Sequence, residues 1–211
     1  TRPTMSERPK ESWGSGDAYE LWVGRWSRIV GEAFVDWLAI PPGQTWGDVG
    51  CGTGALAGCI LGRSDPAGVL GVDRSEAYVC EARNRVGDAR ARFEVGDACA
   101  LPWTTATCDV TVSGLVLNFV PDSDAMVHEM LRVTRPGGRV AAYVWDYAGG
   151  MQMIRHFWDV ALELNRDDAQ LDQAERFPLC QPDPLEQLFR RVGLNSVSVR
   201  AIDVPTVFRD F

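Results

Sequence analysis

Residues 46 to 54, Trp-Gly-Asp-Val-Gly-Cys-Gly-Thr-Gly, combine one carboxylate with glycines at three alternate positions. Gly50, Gly52 and Gly54 follow Asp48 at the end of an apolar approach, the pattern of a strand that turns sharply into a helix with another molecule pressed on its backbone. A missing Cβ permits left-handed dihedrals and close approach to the main chain. Two further acids stand at intervals that a parallel sheet would bring together. Asp73 closes the run Val69-Leu70-Gly71-Val72, 23 residues after Gly50, and Asp97 follows the strand-like Ala91-Arg92-Phe93-Glu94-Val95. A carboxylate placed like Asp73 can accept from both hydroxyls of a ribose diol. One placed like Asp97, with Ala98 bordering the ring, can accept from an adenine amino group. Singly, each acid has a plainer account: Asp48 as a helix cap, Asp73 as the N-cap of a helix beginning near Ser75, and Gly96-Asp97 as a turn.

The glycine pattern alone leaves the ligand open, because Gly50-Cys51-Gly52-Thr53-Gly54-Ala55 also satisfies the dinucleotide form G-x-G-x-x-G/A. Asp48 separates the two cases. A carboxylate at the strand tip would face the phosphates of NAD or FAD, where like charges are unfavourable. S-adenosylmethionine carries no phosphate, and its sulfonium and α-ammonium are both cations that an acid attracts.

These residues need a frame in which several strand ends converge. Alternating strand and helix patterns supply one. Ser27 caps a helix with Ile29, Val30, Ala33, Phe34, Trp37 and Leu38 as its apolar stripe, stopped by Pro41-Pro42-Gly43. Strands are expected over 45–49, 68–72, 91–95, 109–113 and 139–145, with a sixth over 196–204. Helices are expected over 54–61 and 75–86, from Asp122 or Ser123 to just before Pro136, and over 151–164 and 184–192. The stretch 165–180 reads as the most mobile loop. The fold class is α/β: a doubly wound, mostly parallel sheet in three α/β/α layers.

The chain resembles the class I S-adenosylmethionine-dependent methyltransferases, particularly the branch similar to ubiquinone and menaquinone biosynthesis methyltransferases. Four segments carry the resemblance: Asp48-Val49-Gly50-Cys51-Gly52-Thr53-Gly54, Gly71-Val72-Asp73-Arg74-Ser75, Gly96-Asp97-Ala98, and Leu131-Arg132-Val133-Thr134-Arg135-Pro136-Gly137-Gly138-Arg139-Val140. The family implies a Rossmann-like sheet of seven strands with the last antiparallel, and methyl transfer that leaves S-adenosylhomocysteine. It implies cofactor binding by Asp48, Gly50, Cys51, Gly52, Gly54, Asp73, Arg74, Asp97 and Ala98, with Tyr19 and Arg25 near the methionine carboxylate. Gly47 departs from the bulky apolar residue usual there, which would loosen packing under the loop. The expected organisation is a disordered segment 1–16, a helical lid 17–44, and a methyltransferase domain 45–211 that stops short of the seventh strand.

Composition narrows the partners. Of 211 residues, 21 are Lys or Arg and 29 Asp or Glu, a formal net charge of −8, and no basic block interrupts the acidic background. Nucleic acid is therefore not an expected partner. No apolar run approaches the ~20 residues of a membrane span, and no secretory signal opens the chain, so a cytoplasmic protein is expected. Six cysteines form no C-x-x-C and only His128 and His156 could complete a site, so no metal is expected and most cysteines read as small buried residues.

On the acceptor side, Leu117, Asn118, Phe119 and Tyr147 are the expected lining of a small-molecule pocket. In-line methyl transfer needs a general base only for an acceptor that must lose a proton. His156, with Asp146 as competitor, is the candidate; His128 reads as a solvent-facing helix position. Two other readings stay open: a cofactor-binding regulatory or partner protein without turnover, and a nicotinamide-dependent oxidoreductase. Neither the acceptor nor the choice between monomer and homodimer is legible.

Overall fold

The computed structural model describes residues 25–207, and of Arg25 only its place in a helix; Tyr19, with the rest of 1–24, and 208–211 lie outside the described residues. Helix α1 spans Arg25–Leu38 and turns Val30, Phe34, Val35 and Leu38 inward. Ile29, expected on the apolar stripe, is instead exposed, because the buried arc runs through Trp26, Val30 and Phe34 at four-residue steps and leaves Ile29 at its margin.

The chain then alternates as its periodicities predict. β1 is Thr45–Val49, α2 Ala55–Arg63, β2 Gly68–Asp73, α3 Glu76–Arg85 and β3 Ala91–Val95. β4 is Cys108–Gly114, α4 Ser123–Val133 and β5 Thr134–Tyr143. The five strands lie in the order β3-β2-β1-β4-β5, all parallel. Strand order reverses between β1 and β4, so the carboxyl ends of β1, β2 and β4 open on the crevice where ligands of such sheets bind. β5 begins earlier than expected. Its register with β4 jumps from Cys108↔Thr134 to Val110↔Arg139, and the intervening Arg135–Gly138 bulge out.

Each sheet face has its own core. Trp46, Val69, Val110 and Val112 pack with Phe34, Leu56, Ile60 and Val79 of α1, α2 and α3. Val49, Val72, Cys108 and Leu117 pack with Met126, Met130 and, from the last helix, Leu188 and Phe189. Gly47 does not loosen this layer. A Cβ there would stand 2.9 Å from Cζ3 of Trp103 and 3.0 Å from the sulfur of Cys108, so the indole occupies the space of the missing side chain.

After β5 come α5, Gln152–Leu164; a 3-10 turn, Arg166–Leu171; α6, Gln173–Arg176; a second turn, Pro178–Cys180; and α7, Pro182–Arg191. The stretch 165–180, expected as a mobile loop, is thus a series of helical turns. Arg155 of α5 holds the buried Asp172 at 2.7 Å, and the Trp158 indole N–H donates to Gln173.

The expected strand 196–204 is irregular chain without ladder partners, opening on a left-handed Ser196. A strand exists only beside another, and a groove of about 1080 Å³ separates this segment from the outer edge of β5. No described helix is long and apolar enough to cross a membrane.

Candidate functional site

The turn from β1 to α2 folds over the end of β2. Gly50 and Cys51 donate their N–H groups to the Val72 carbonyl at 2.8 and 2.9 Å, and Gly54 donates to the Cys51 carbonyl at 2.9 Å. All three glycines are left-handed, with φ of +75°, +52° and +84° for Gly50, Gly52 and Gly54. Their surroundings differ. A Cβ on Gly50 would lie 2.7 Å from the Val116 methyls and one on Gly54 2.7 Å from Val86, whereas nothing stands within 4 Å of the Cβ position of Gly52. Only Gly52 leaves room for another molecule.

Replacing Gly52 by Ala is accordingly expected to cost about 1–2 kcal/mol of stability, the strain of a left-handed residue with a Cβ. For Gly54→Ala, overlap with Val86 adds roughly 1–3 kcal/mol. Urea unfolding of the two variants compares them; equal losses would show that backbone conformation alone sets both.

Asp73, at the tip of β2, ties this loop to the next helix. Its Oδ2 accepts from the Gly52 N–H at 3.0 Å and its Oδ1 from the Ser75 N–H at 2.9 Å. It is not the N-cap of α3; Ser75 is, accepting from the Tyr78 N–H through Oγ. A carboxylate has about four acceptor sites, so two backbone N–H groups leave capacity on both oxygens. Arg74 is exposed beside it. One strand further, the Gly96 N–H donates to the Asp73 carbonyl at 3.0 Å, which brings Asp97 and Ala98 next to the tip of β2. Asp97 Oδ1 accepts from the Cys99 N–H at 2.8 Å.

Asp48 behaves unlike an acid at a strand tip. It is one residue below the end of β1, fully buried, and neither carboxylate oxygen has a hydrogen-bond partner. Burial raises its pKa to about 7 and the charge of Asp73 pushes the same way; the Ala57 backbone N–H in the first turn of α2 pulls it down without completing a hydrogen bond. Asp48, expected at the strand tip among the cofactor-binding residues, is instead enclosed behind the loop, with its carboxylate closed off from solvent. Burial, with Asp48 and Asp73 adding, also pushes the Cys51 thiol up.

Past β4, Val116 rests on Gly50, so the loop after β4 abuts the glycine turn. Leu117, expected to line a pocket, is a fully buried core residue. Asn118 carries a buried amide nitrogen without a partner. Phe119 meets Phe177 edge-on at 5.2 Å between ring centroids, and Tyr147, past β5, meets the same ring at 5.6 Å. Three loops thus converge in one aromatic wall. The two candidate bases are not part of it. His156 is exposed on α5, and the Asp146 carboxylate caps the turn ahead of α5, accepting from the N–H groups of Ala148, Gly149 and Gly150 at 3.1, 3.0 and 2.8 Å. Among the described residues no group of His, Cys, Asp and Glu could hold a metal ion.

A family model described as a methyltransferase domain matches residues 47–142, the span that contains the glycine turn, all three acids and the strands from Gly47 of β1 to Ala142 of β5. Over this span, somewhat less than half of the chain, the sequence is similar to that family. The ubiquinone/menaquinone biosynthesis C-methyltransferase of Cereibacter sphaeroides is 37% identical over 131 residues, 60% of this chain and 49% of that protein. The 2-methyl-6-phytyl-1,4-hydroquinone methyltransferase of a Synechocystis strain is 34% identical over 121 residues, 57% of this chain and 38% of that protein. This chain therefore spans about half or less of these relatives. The crystal structure of a putative S-adenosylmethionine-dependent methyltransferase from Methanococcus maripaludis superposes with a TM-score of 0.60 at 23% identity, over 89% of this chain and 85% of that one, and shows the same fold.

Within the matched span, Gly52, Asp73, Asp97 and Ala98 come together at the ends of β1 to β3, with Asp48 behind them. Tyr19 lies outside the described residues, as does the side chain of Arg25. Sequence reasoning missed Val116, which fills the space under Gly50, and Phe177, which unites Phe119 and Tyr147. Neither carries a local signal: each matters only through a neighbour distant in the chain.

Proposed function

We propose that this chain is an S-adenosylmethionine-dependent methyltransferase acting on a small-molecule acceptor. The observation that carries the reading is the Asp73 carboxylate, held by the Gly52 and Ser75 N–H groups beside the one loop glycine that faces open space, with a partnerless buried acid behind it. Asp73 has acceptor capacity left for a ribose diol, and the Asp48 charge favours a cationic ligand over a pyrophosphate. Asp97 and Ala98 take the adenine end, and Arg74, Tyr19 and Arg25 complete the set.

The bound cofactor supplies an electrophilic methyl group on a positive sulfur. The protein's part is to hold the acceptor in line with that group and keep water out. The wall of Phe119, Tyr147 and Phe177 suits an apolar or planar acceptor, and the Asn118 amide offers it a hydrogen bond. Asp146 caps a turn and His156 is exposed on α5, so neither candidate base belongs to this wall, which suits an acceptor that needs no protein base. The two named relatives support a small-molecule acceptor.

Calorimetric titration with S-adenosylhomocysteine tests the cofactor reading, with micromolar affinity expected and no competing affinity for NADH; the reverse preference would overturn it. The positions of His156 and Asp146 away from the aromatic wall also favour a second reading, a cofactor-binding partner protein without turnover. Methyl transfer from labelled cofactor to any acceptor in a metabolite screen excludes that reading.

A further inference from the structure

Glu129 and Arg132 stand one turn apart on α4 and form a two-pronged pair, Nε to Oε1 and Nη2 to Oε2, each at 2.6 Å. The pair does not stop at itself. Glu129 Oε2 accepts from the Leu101 N–H at 2.7 Å, while Arg132 donates to the Trp103 carbonyl at 2.9 Å and to the Leu101 carbonyl at 3.1 Å. The Trp103 indole N–H donates in turn to Glu94 of β3 at 2.6 Å, and its ring fills the space beside Gly47. A helix that follows β4 thus grips the loop that leaves β3 at the far edge of the sheet.

What this grip controls follows from the short distance along the chain. Between Asp97 and Leu101 the backbone makes one tight turn, closed by the Ala100 N–H on the Asp97 carbonyl at 3.1 Å and the Cys99 N–H on Asp97 Oδ1. Fixing Leu101 therefore fixes the direction of Asp97 and the height of Ala98. An exposed ion pair would contribute little, but these side chains are two-thirds or more covered and every bond from the planar guanidinium lands on a defined acceptor.

We propose that Glu129 and Arg132 are positioning residues for adenine recognition: they touch no cofactor and set the affinity for its base through the loop Asp97–Trp103. The inference rests on the proposed reading of Asp97 and Ala98 as the adenine side.

The test compares S-adenosylhomocysteine with S-inosylhomocysteine, whose base carries a carbonyl in place of the amino group, by calorimetry on the full chain. Wild type is expected to prefer the adenine ligand. Glu129→Ala is expected to weaken adenine-ligand binding by about threefold to thirtyfold while leaving inosine-ligand binding nearly unchanged, so that the preference shrinks. Glu129→Gln, which keeps an acceptor for Leu101 but not the ion pair, is expected to lie between, and it decides the matter if the alanine variant does not fold. Asp97→Ala should erase the preference, and Asp73→Asn should weaken both ligands alike. Erased preference in Asp97→Ala with an intact preference in both Glu129 variants overturns the positioning role alone. Intact preference in Asp97→Ala overturns the adenine assignment and this inference with it.

Discussion

Asp48→Asn is expected to abolish a large loss of stability that the ligand-free wild type suffers as the pH rises from about 4 to about 7. The sign follows from the direction of the shift. Burial raises the folded-state pKa of Asp48 to about 7 from an ordinary value of 3.8, so between those values the folded chain holds a proton that the unfolded chain has released. Stability is then fully present below pH ~4 and falls as the pH rises through about 7, by on the order of 4 kcal/mol. For a chain of this size that is roughly 10 °C in melting temperature. An isosteric amide does not ionise, so the difference between variant and wild type should be small at pH 4 and reach its full size by pH 8, other titrating groups cancelling. Thermal melts at the two pH values check it; a variant less stable than wild type by the same amount at both would show that Asp48 is stabilising where it stands. The same substitution should weaken the binding of a cationic nucleoside, because what strains the empty site is the charge that attracts the ligand.

Asp73→Ala is expected to reduce the affinity for S-adenosylhomocysteine by about a hundredfold or more, since hydrogen bonds to a charged acceptor contribute about 1.5–3 kcal/mol each and the variant loses two proposed bonds to the ribose. The side chain also tethers Gly52 and Ser75, so its removal frees the glycine turn that the ligand would meet. Asp73→Asn separates the two effects. Its amide keeps one carbonyl acceptor for one of the two backbone N–H groups, and its affinity should fall between wild type and alanine. Titration calorimetry measures this directly, with circular dichroism to show that α3 is retained, as its own cap at Ser75 predicts. Unchanged affinity in the alanine variant would sink the assignment of the site.

The five parallel strands were legible because each is a local statement: an apolar run of strand length, punctuated by Gly, Pro or Asp, at the spacing of βαβ units. The glycine turn was legible for the same reason, as left-handed positions and a sharp strand-to-helix passage are properties of a few consecutive residues. So was the placing of Asp73 and Asp97, because neighbouring parallel strands bring residues at successive strand ends to one edge. Other features depended on residues far apart in the chain. Which glycine faces open space was decided by Val116 and Val86 filling the other two positions. Gly47 was harmless because Trp103, more than 50 residues later, occupies its space. Asp146 turned from candidate base to turn cap, Leu117 from pocket wall to core, and Phe177 joined two predicted pocket residues. The segment 196–204 has a strand-like composition but no neighbour on which to form a ladder, and strand formation is a property of the pair. Patterns whose energy lies in adjacent residues were thus determined by the sequence alone, whereas burial, charge environment and the filling of space belong to contacts that exist only once distant segments have met.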